Sequence, residues 1–355
     1  MITLNQHRIG ITQTVVAKFS DDKEPKQGLS AFFPTKTTAS KMISIEVERN
    51  LQTVAVDVQR CTDPVLNIFS NSTEKIFEPP YYNESFDFTA CQRYDVTFAQ
   101  GNNPTQVDAG MLIKDAMGKV KKLKNKILRA IELQRSQVLQ TGVVVLKNGD
   151  SIDYKRKAES MVVLAGAAKW DVPGTSTPMV DFKTGMDFLR EEGLSGGSTI
   201  NAIFGSTAFT NFMASTTVKE QAEWRKINRL DLNMPSFDKV TGMVFQGQFA
   251  AGDYIVNIWT YNEFYVHPVT GVKTKYILPN NVVMVAEDFE GLTQFAGVPA
   301  IMGDNVSGQY VAPKEGEFYV RDVIDQISMA WDFIISSAPL VVPVSIDRIY
   351  TIKTA

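Results

Sequence analysis

The chain has 355 residues, of which 44% are hydrophobic and 21% are charged, and its formal net charge is −3 at pH 7. This length and composition allow two packed domains, each with a core of its own. Cys61 and Cys91 have neither disulfide-framework nor metal-site spacing, which favours a reducing compartment over secretion. Residues 1–10 lack the apolar core of a secretory signal, and no apolar run is long enough to span a membrane.

Residues 1–40 are predicted to form an N-terminal arm. They are weakly patterned and include a charge run at 21–26, which is typical of a solvated arm or linker. An arm that lies on a neighbouring subunit would have the same composition, so the sequence leaves both interpretations open.

Residues 41–98 are predicted to form an extended β-hairpin loop. Apolar residues alternate with polar ones at Ile43, Ile45 and Val47, and residues 70–73 have the composition of a turn. A hairpin of this kind has too few strands to bury both of its faces. It either closes a sandwich within its own chain or packs against another molecule.

The strongest helical pattern covers residues 107–140. Apolar or small residues recur at steps of three, four or seven and form one stripe. They are Leu112, Ala116, Val120, Leu123, Ile127, Ile131 and Val138. Between Met111 and Arg135 the helix carries eight basic and two acidic residues, a local charge of +6, which leaves about −9 for the rest of the chain. These cations could contact DNA phosphates, be solvated, or pair with acidic groups of adjoining subunits, and we favour the last two.

Shorter elements follow this helix. They are a hairpin at 143–154 with Asn148 and Gly149 at its turn, a helix at 180–192, a Gly-rich joint at 193–198, a strand at 199–204, and one or two helices at 206–230. The remainder is predicted to contain strands at 254–261, 272–277 and 282–286, loop-rich stretches at 289–297 and 299–313, and strands again over 329–355.

The sequence gives no catalytic, cofactor-binding or metal-binding residues. His7 and His267 are far apart and have no neighbours suited to ligation or base catalysis. The Gly-rich joint lacks the lysine and the helix of a phosphate-binding loop. Adjacent carboxylates such as Glu191 and Glu192 are usually surface residues. The pattern favours an interaction protein over an enzyme.

Four stretches resemble the phage lambda-type major capsid protein family, and they occur in the family's order. They are IISSAPLVVPVSIDRIYTIKTA (residues 334–355), TKYILPNNVVMVAEDFEGL (274–292), NSTEKIFEPPYYNESFDF (71–88) and STAFTNFMASTTVKEQAEWRK (206–226). The resemblance covers most of the chain from about residue 39 onward.

The resemblance implies an α+β chain with the Hong Kong 97-type capsid fold. The expected divisions are an N-terminal arm at 1–40, the extended loop at 41–98, a peripheral domain at 99–195 with its spine helix at 107–140, an axial domain at 196–300, and a return to the peripheral domain with C-terminal strands at 301–355.

The resemblance also implies a function. The chain would be a non-enzymatic major capsid protein that assembles into hexamers and pentamers, closes an icosahedral head in the host cytoplasm and becomes part of the virion. Its implied partners are a scaffold protein, a portal and a decoration protein, and its shell would enclose double-stranded DNA without sequence specificity. An encapsulin-like shell around a cargo enzyme is the alternative, because encapsulins share the fold.

The extended loop is predicted to reach onto a neighbouring subunit. Its alternating arms need a partner surface, and an uncovered edge would invite aggregation. The predicted contact residues are Arg60, Asp63, Leu66, Ile68, Phe69, Ile76, Phe77, Tyr81 and Tyr82.

Overall fold

A computed structural model describes residues 26–47, 73–88, 109–146, 150–223, 230–231, 236–237, 241–302, 310–325 and 330–355. Within these ranges the chain forms four α-helices and twenty-two β-strands. The helices are α1 (Ala109–Thr141), α2 (Pro178–Glu191), α3 (Ser206–Ala214) and α4 (Thr216–Glu223).

The strands are numbered in chain order. The first eleven are β1 (Thr35–Thr37), β2 (Ile43–Val47), β3 (Thr73–Phe77), β4 (Tyr82–Phe88), β5 (Val143–Val145), β6 (Ser151–Asp153), β7 (Met161–Val163), β8 (Thr199–Phe204), β9 (Leu230–Asp231), β10 (Ser236–Phe237) and β11 (Met243–Ala251). The others are β12 (Tyr254–Tyr261), β13 (Phe264–Val266), β14 (Lys273–Lys275), β15 (Asn281–Ala286), β16 (Gly291–Phe295), β17 (Val298–Met302), β18 (Tyr310–Lys314), β19 (Tyr319–Asp325), β20 (Ala330–Ser337), β21 (Pro339–Pro343) and β22 (Ile349–Lys353).

The predicted long helix is confirmed as α1, whose 33 residues span roughly 50 Å. The members of the predicted stripe for which burial is described lie inside the protein, with Leu123 partly buried; the fully buried ones are Ala116, Val120, Ile127, Ile131 and Val138. The helix ends before Gly142, whose φ of +69° suits glycine at this position.

An eight-stranded sheet forms the centre of the fold. Its order is β10-β11-β12-β8-β15-β22-β7, and β9 also pairs with β11. All six residues of β15 are buried, because both faces of the sheet are covered at its centre. One face packs on α2 and α3 through an aromatic cluster that includes Trp170, Phe182 and Phe249. The other face packs toward α1 through Val283 and Val285.

Two three-stranded sheets pack along α1. The sheet β19-β20-β4 covers its first half, where Phe333 of β20 contacts Ala116 and Val120. The sheet β1-β16-β21 packs near its second half, where Leu340 and Val341 join the core of Ile131. The helix therefore lies against all three of these sheets.

The arms of the predicted hairpin are confirmed as β2 and β3, which pair antiparallel. The pairing of β4 differs, since β4 joins β20 near the other end of the chain. The predicted hairpin after α1 is confirmed as β5 and β6, and the predicted helix pair at 206–230 is confirmed as α3 and α4 as far as Glu223.

The predicted loop-rich stretches at 289–297 and 299–313 are wrong, because β16, β17 and β18 lie there. Pro299 lies in β17 and Pro313 lies in β18. They lie opposite each other in the two-stranded ribbon β17–β18, where a residue without an N–H can face away from the ladder.

Two glycines in helices allow a matched test of this packing. An added Cβ at Gly185 would lie 2.7 Å from Tyr350 Cδ1 and 2.8 Å from Met284 Sδ, whereas at Gly118 it would meet nothing within 4 Å. We expect Gly185→Ala to destabilise the subunit by about 1–3 kcal/mol through overpacking. Gly118→Ala should stabilise it by about 0.5–1 kcal/mol, because alanine favours a helix.

Chemical denaturation of soluble subunits measures both free energies of unfolding. If the two substitutions changed stability in the same direction, the close packing of α2 against β15 and β22 would be contradicted.

Candidate assembly surfaces

A buried ionic cluster lies where α1 meets the N-terminal segment. Glu132 and Arg135 are one helical turn apart and only 1% and 3% exposed. Arg135 Nη1 donates a hydrogen bond to Glu132 Oε2 at 3.1 Å. The Tyr261 hydroxyl and the Leu29 backbone N–H donate to Glu132 Oε1 at 2.8 and 2.9 Å. This carboxylate therefore ties α1 to β12 and to the segment before β1.

Arg135 extends the cluster in two further directions. Its Nε and Nη2 donate to Thr293 Oγ1 at 3.2 and 3.0 Å, and its Nη1 also donates to Gln27 Oε1 at 2.7 Å. The Thr293 hydroxyl in turn donates to the Phe33 carbonyl at 3.2 Å. A buried guanidinium is tolerated when its donors and its charge are satisfied in this way.

The N-terminal segment is held by packing as well as by polar contacts. A short 3-10 helix, Gly28–Phe32, buries Leu29 completely, and the following Phe33 is equally buried. Gly28 is needed here because an added Cβ would lie 2.6 Å from Met243 Cγ and 2.7 Å from Tyr261 Cε2. The segment continues into β1, which pairs with β16, and a short loop then leads to β2. The base of the hairpin is thereby anchored to the core.

Two opposing effects act on the Glu132 carboxyl. Burial raises its pKa, while the charge of Arg135 and the hydrogen bonds from Leu29, Tyr261 and Arg135 act to lower it. Burial has the larger effect. The ionised form consequently depends on these three protein donors rather than on solvent.

The residues predicted to contact a neighbouring subunit divide into two groups. Arg60, Asp63, Leu66, Ile68 and Phe69 lie outside the described residues. The other four lie on β3, on β4 or between them.

Three members of the second group have described side chains. The Phe77 ring packs edge-on against Tyr154, with 6.5 Å between ring centroids. The Tyr82 hydroxyl accepts a hydrogen bond from Gln134 Nε2 at 3.0 Å, whereas Tyr81 is exposed. Phe77 and Tyr82 thus pack on their own subunit, and Ile76 lies on β3 opposite Ser44. A contact between subunits stays a prediction for all nine residues.

The cations of α1 are less uniformly solvated than predicted. Lys124 is buried with its Nζ 5.4 Å from the Phe318 ring centroid, and Arg135 belongs to the buried cluster. Lys126 pairs with Glu84 of β4 at 2.7 Å, within the same chain. The exposed remainder includes Lys122 and Arg129. Part of the basic charge therefore stabilises the subunit itself.

Sequence reasoning missed the importance of Glu132 and Arg135. A usable signal was present, since both lie next to the buried stripe that contains Ile131 and Val138. Opposite charges three residues apart on a helix are close enough to pair, and a place beside the apolar stripe makes burial of that pair possible. Their remote partners, Tyr261 and Thr293, carried no such signal.

Within the described residues, no group of three or more His, Cys, Asp or Glu side chains could hold a metal ion. In the same part of the chain, no helix is both long enough and apolar enough to cross a membrane.

Solved structures share this arrangement of helix and sheets. A prophage protein of E. coli CFT073 assigned as a capsid protein is similar over 97% of this chain and 99% of that chain, with a TM-score of 0.64 and 18% identity. The capsid subunit of cyanophage A-1(L) is similar over 94% of both chains, with a TM-score of 0.51 and 11% identity. An encapsulin from Synechococcus elongatus PCC 7942 has a TM-score of 0.43 and 9% identity over 96% of this chain and 95% of that chain. The fold is that of a Hong Kong 97-type phage capsid subunit.

The sequence itself identifies the family. A model of the phage major capsid protein E family matches residues 19–354. The chain therefore belongs to this family and is a phage major capsid protein, a structural component of the phage head. Among curated proteins, no sequence matches the chain.

The buried cluster predicts a large effect of removing one charge. Glu132→Gln keeps the shape of the side chain but leaves Arg135 buried without a counter-charge, so we expect a loss of about 3–5 kcal/mol of unfolding free energy. The double variant Glu132→Gln/Arg135→Met should lose less than the sum of the two single variants, because no isolated charge remains.

Urea denaturation of soluble subunits measures these differences. The matched control is Lys41→Met, which breaks the exposed Lys41–Glu78 pair of 2.9 Å and should cost less than about 1 kcal/mol. Equal losses from Glu132→Gln and Lys41→Met would contradict the central role of the buried pair.

Three buried tyrosines should make the folded subunit less stable at alkaline pH. Burial raises the pKa of Tyr154, Tyr261 and Tyr276 above the usual range. Because the folded-state pKa exceeds the unfolded value of about 10, each contributes stability that is present below pH 10 and lost as pH rises further. The unfolding free energy should fall by up to ~1.4 kcal/mol per pH unit for each such tyrosine.

Tyr154→Phe tests this expectation. It removes the 2.6 Å hydrogen bond from the Tyr154 hydroxyl to the Val341 carbonyl, so stability at pH 7 should fall by about 1 kcal/mol. The unfolding free energy of Tyr154→Phe should nevertheless fall less steeply between pH 10 and 11 than that of the unsubstituted protein. Tyr81→Phe, at an exposed tyrosine, is the matched control and should cost less stability at pH 7 than Tyr154→Phe. A slope unaltered by Tyr154→Phe would refute the assignment.

Proposed function

We propose that this capsid protein assembles into hexamers and pentamers that close the icosahedral head of a tailed phage around double-stranded DNA. The observation that supports this most directly is the family match over residues 19–354. The described fold suits a shell subunit, since one long helix packs against three sheets. In a closed shell each subunit must contact its neighbours through different surfaces on each side.

We retain the domain division of an arm at 1–40, an extended loop at 41–98, a peripheral domain at 99–195, an axial domain at 196–300, and a return at 301–355. Support comes from α1, which forms the predicted spine, and from the sheet core at 199–286. The central sheet also includes β7 and β22, from segments assigned to the peripheral parts. The two domains would accordingly share one sheet and move together.

The extended loop is the proposed arm toward the next subunit. Its base is fixed, since Ile43 is buried and pairs with Phe77, which packs on Tyr154. The last described pair is Val47 with Thr73. A hairpin that is anchored at its base and has a paired stem can present residues 48–72 to a neighbour at low entropic cost.

The remaining partners follow from the class of protein. A scaffold protein, a portal and a decoration protein would act with the capsid protein during assembly in the host cytoplasm. DNA would be enclosed without sequence specificity, and its nonspecific attraction to α1 would be reduced because Lys126 and Arg135 pair within the subunit. The chain would have no catalytic role and no cofactor. An encapsulin-like shell is the less favoured alternative, since the family match is to phage capsid proteins.

Electron microscopy of the protein expressed with its scaffold tests the shell directly. We expect closed particles tens of nanometres wide. Stable monomers under all assembly conditions would refute self-assembly, and a cargo enzyme inside the particles instead of DNA would favour the encapsulin alternative.

A shortened hairpin tests the proposed arm. Because Val47 and Thr73 are directly paired, an Asn-Gly turn can replace residues 48–72 without changing the register of β2 and β3. We expect soluble, folded subunits that no longer form closed particles. The outcome is measured by electron microscopy and by the unfolding transition of the subunit.

The control replaces residues 48–72 with a Gly-Ser segment of equal length. If specific side chains make the contact, this variant should also fail to assemble while remaining folded. Normal particles from the shortened protein would contradict the assignment, and an unfolded shortened protein would place the hairpin in the subunit's own core.

A further inference from the structure

The hairpin of β13 and β14 exposes four apolar side chains within nine residues. Phe264, Val266, Val269 and Val272 are 50%, 55%, 85% and 59% exposed. Single exposed apolar residues are common on protein surfaces, but a contiguous group usually marks a contact site. None of the surfaces described above includes this group.

The register of the hairpin places two lysines on the same face as the exposed apolar side chains. Phe264 lies opposite Lys275 and Val266 opposite Lys273, so all four side chains share one face. Lys273 Nζ lies 5.4 Å from the Phe264 ring centroid. The opposite face packs inward, where the Tyr265 ring meets the ring of Tyr276 at 5.3 Å. On the outer face Lys275 Nζ donates to Ser206 Oγ at 2.7 Å within the same subunit, whereas Phe264, Val266 and Lys273 are exposed.

The tip of the hairpin has a defined shape. The backbone N–H of His267 donates to the Val272 carbonyl, and that of Gly271 donates to the His267 carbonyl, both at 2.9 Å. The Nδ1 atom of His267 accepts hydrogen bonds from the backbone N–H groups of Val269 and Thr270 at 3.3 and 3.2 Å. Gly271 has a φ of +67°, which favours glycine. A preformed tip loses little entropy when it binds.

The hairpin follows β12 of the central sheet, and a complementary surface lies at the opposite end of β12 and β8. At the hairpin end, Phe204 of β8 pairs with Thr260 and Val282. At the far end Thr199 of β8 pairs with Ile255 of β12. Thr199 and Phe204 are five residues apart along β8, which corresponds to roughly 17 Å.

The far end combines charge with an apolar group. Asp253, Ile255 and Glu287 are exposed there, and Ile255 is 43% exposed. Glu287 lies beside Gly197, two residues before β8 begins. Asp253 and Glu287 thus place two exposed carboxylates at the end that exposes Ile255, with Lys183 next to Gly252. The hairpin exposes Lys273 beside valines and a phenylalanine.

We propose that the β13–β14 hairpin of one subunit docks on the Asp253–Ile255–Glu287 end of the next subunit. The proposal rests on self-assembly of the chain. Two different, complementary surfaces at opposite ends of one rigid sheet make a head-to-tail contact, which generates a ring when the rotation between copies closes. Apolar groups of the tip would pack on Ile255, and Lys273 would meet the carboxylates.

Val269→Asp tests the apolar part of the contact. The side chain is 85% exposed, so the subunit should fold normally while the contact gains an uncompensated charge. We expect the protein concentration required for particle formation to rise roughly tenfold or more. The matched control is Val180→Asp, at an exposed valine in the first turn of α2, which should assemble like the unsubstituted protein.

A charge exchange tests the choice of partner surface. Lys273→Glu alone should impair assembly, because like charges would then face each other. The double variant Lys273→Glu/Glu287→Lys restores opposite charges between every pair of copies and should recover assembly. A single Glu287→Lys variant should be impaired like Lys273→Glu. Each variant is compared by sedimentation and electron microscopy over a range of protein concentrations.

The results of these experiments distinguish an error in the proposed hairpin contact from an error in the proposed self-assembly. If Val269→Asp formed particles at the same protein concentration as the unsubstituted protein, the proposed hairpin contact would be wrong. The proposal that the protein forms a shell would still stand. Impaired Lys273→Glu without recovery in the double variant would overturn the far end as the partner surface. Failure of the unsubstituted protein to form any particle would overturn self-assembly and this contact together.

Discussion

The fold depends on one buried ion pair and the groups that satisfy it. Glu132 and Arg135 lie inside the protein, and together they bind the N-terminal segment, β12 and β16 to the middle of α1. These partners are separated by more than one hundred residues along the chain, from Leu29 to Tyr261. Removing one charge is expected to cost a large fraction of the 5–15 kcal/mol that stabilises a typical domain. The cluster fixes the positions of the N-terminal segment, β12 and β16 relative to α1. Apolar packing alone would define these positions less exactly.

Placing the cluster on α1 has a consequence for assembly. The segment that the cluster holds leads through β1 directly to β2, the first strand of the extended loop. Phe77 and Tyr82 fix the second strand and its continuation against Tyr154 and Gln134. An arm held firmly at both ends of its base transmits load to the helix instead of swinging freely. Rigid placement of contact elements suits a shell in which many small contacts must form at the same angle.

The central sheet places unlike surfaces at its two ends. Hairpin β13–β14 adds exposed apolar and basic groups at one end, and the far end adds Ile255 between carboxylates. Because the strands between them are buried and paired in fixed register, the separation of the two surfaces is also fixed. Fixed separation of complementary surfaces favours regular rings over disordered aggregates.

The sequence by itself determined the elements whose pattern is local. The apolar stripe of α1, the alternation in β2 and the continuous apolar run of β15 are visible in single windows, because one side of α1 and both faces of β15 are buried. Four motifs in order also indicated the capsid family. Tertiary structure decided the rest. It paired β4 with β20, placed Pro299 of β17 opposite Pro313 of β18, and brought Tyr261 and Thr293 to Glu132 and Arg135. Such choices depend on register and burial between segments far apart in the chain, and no local pattern records them.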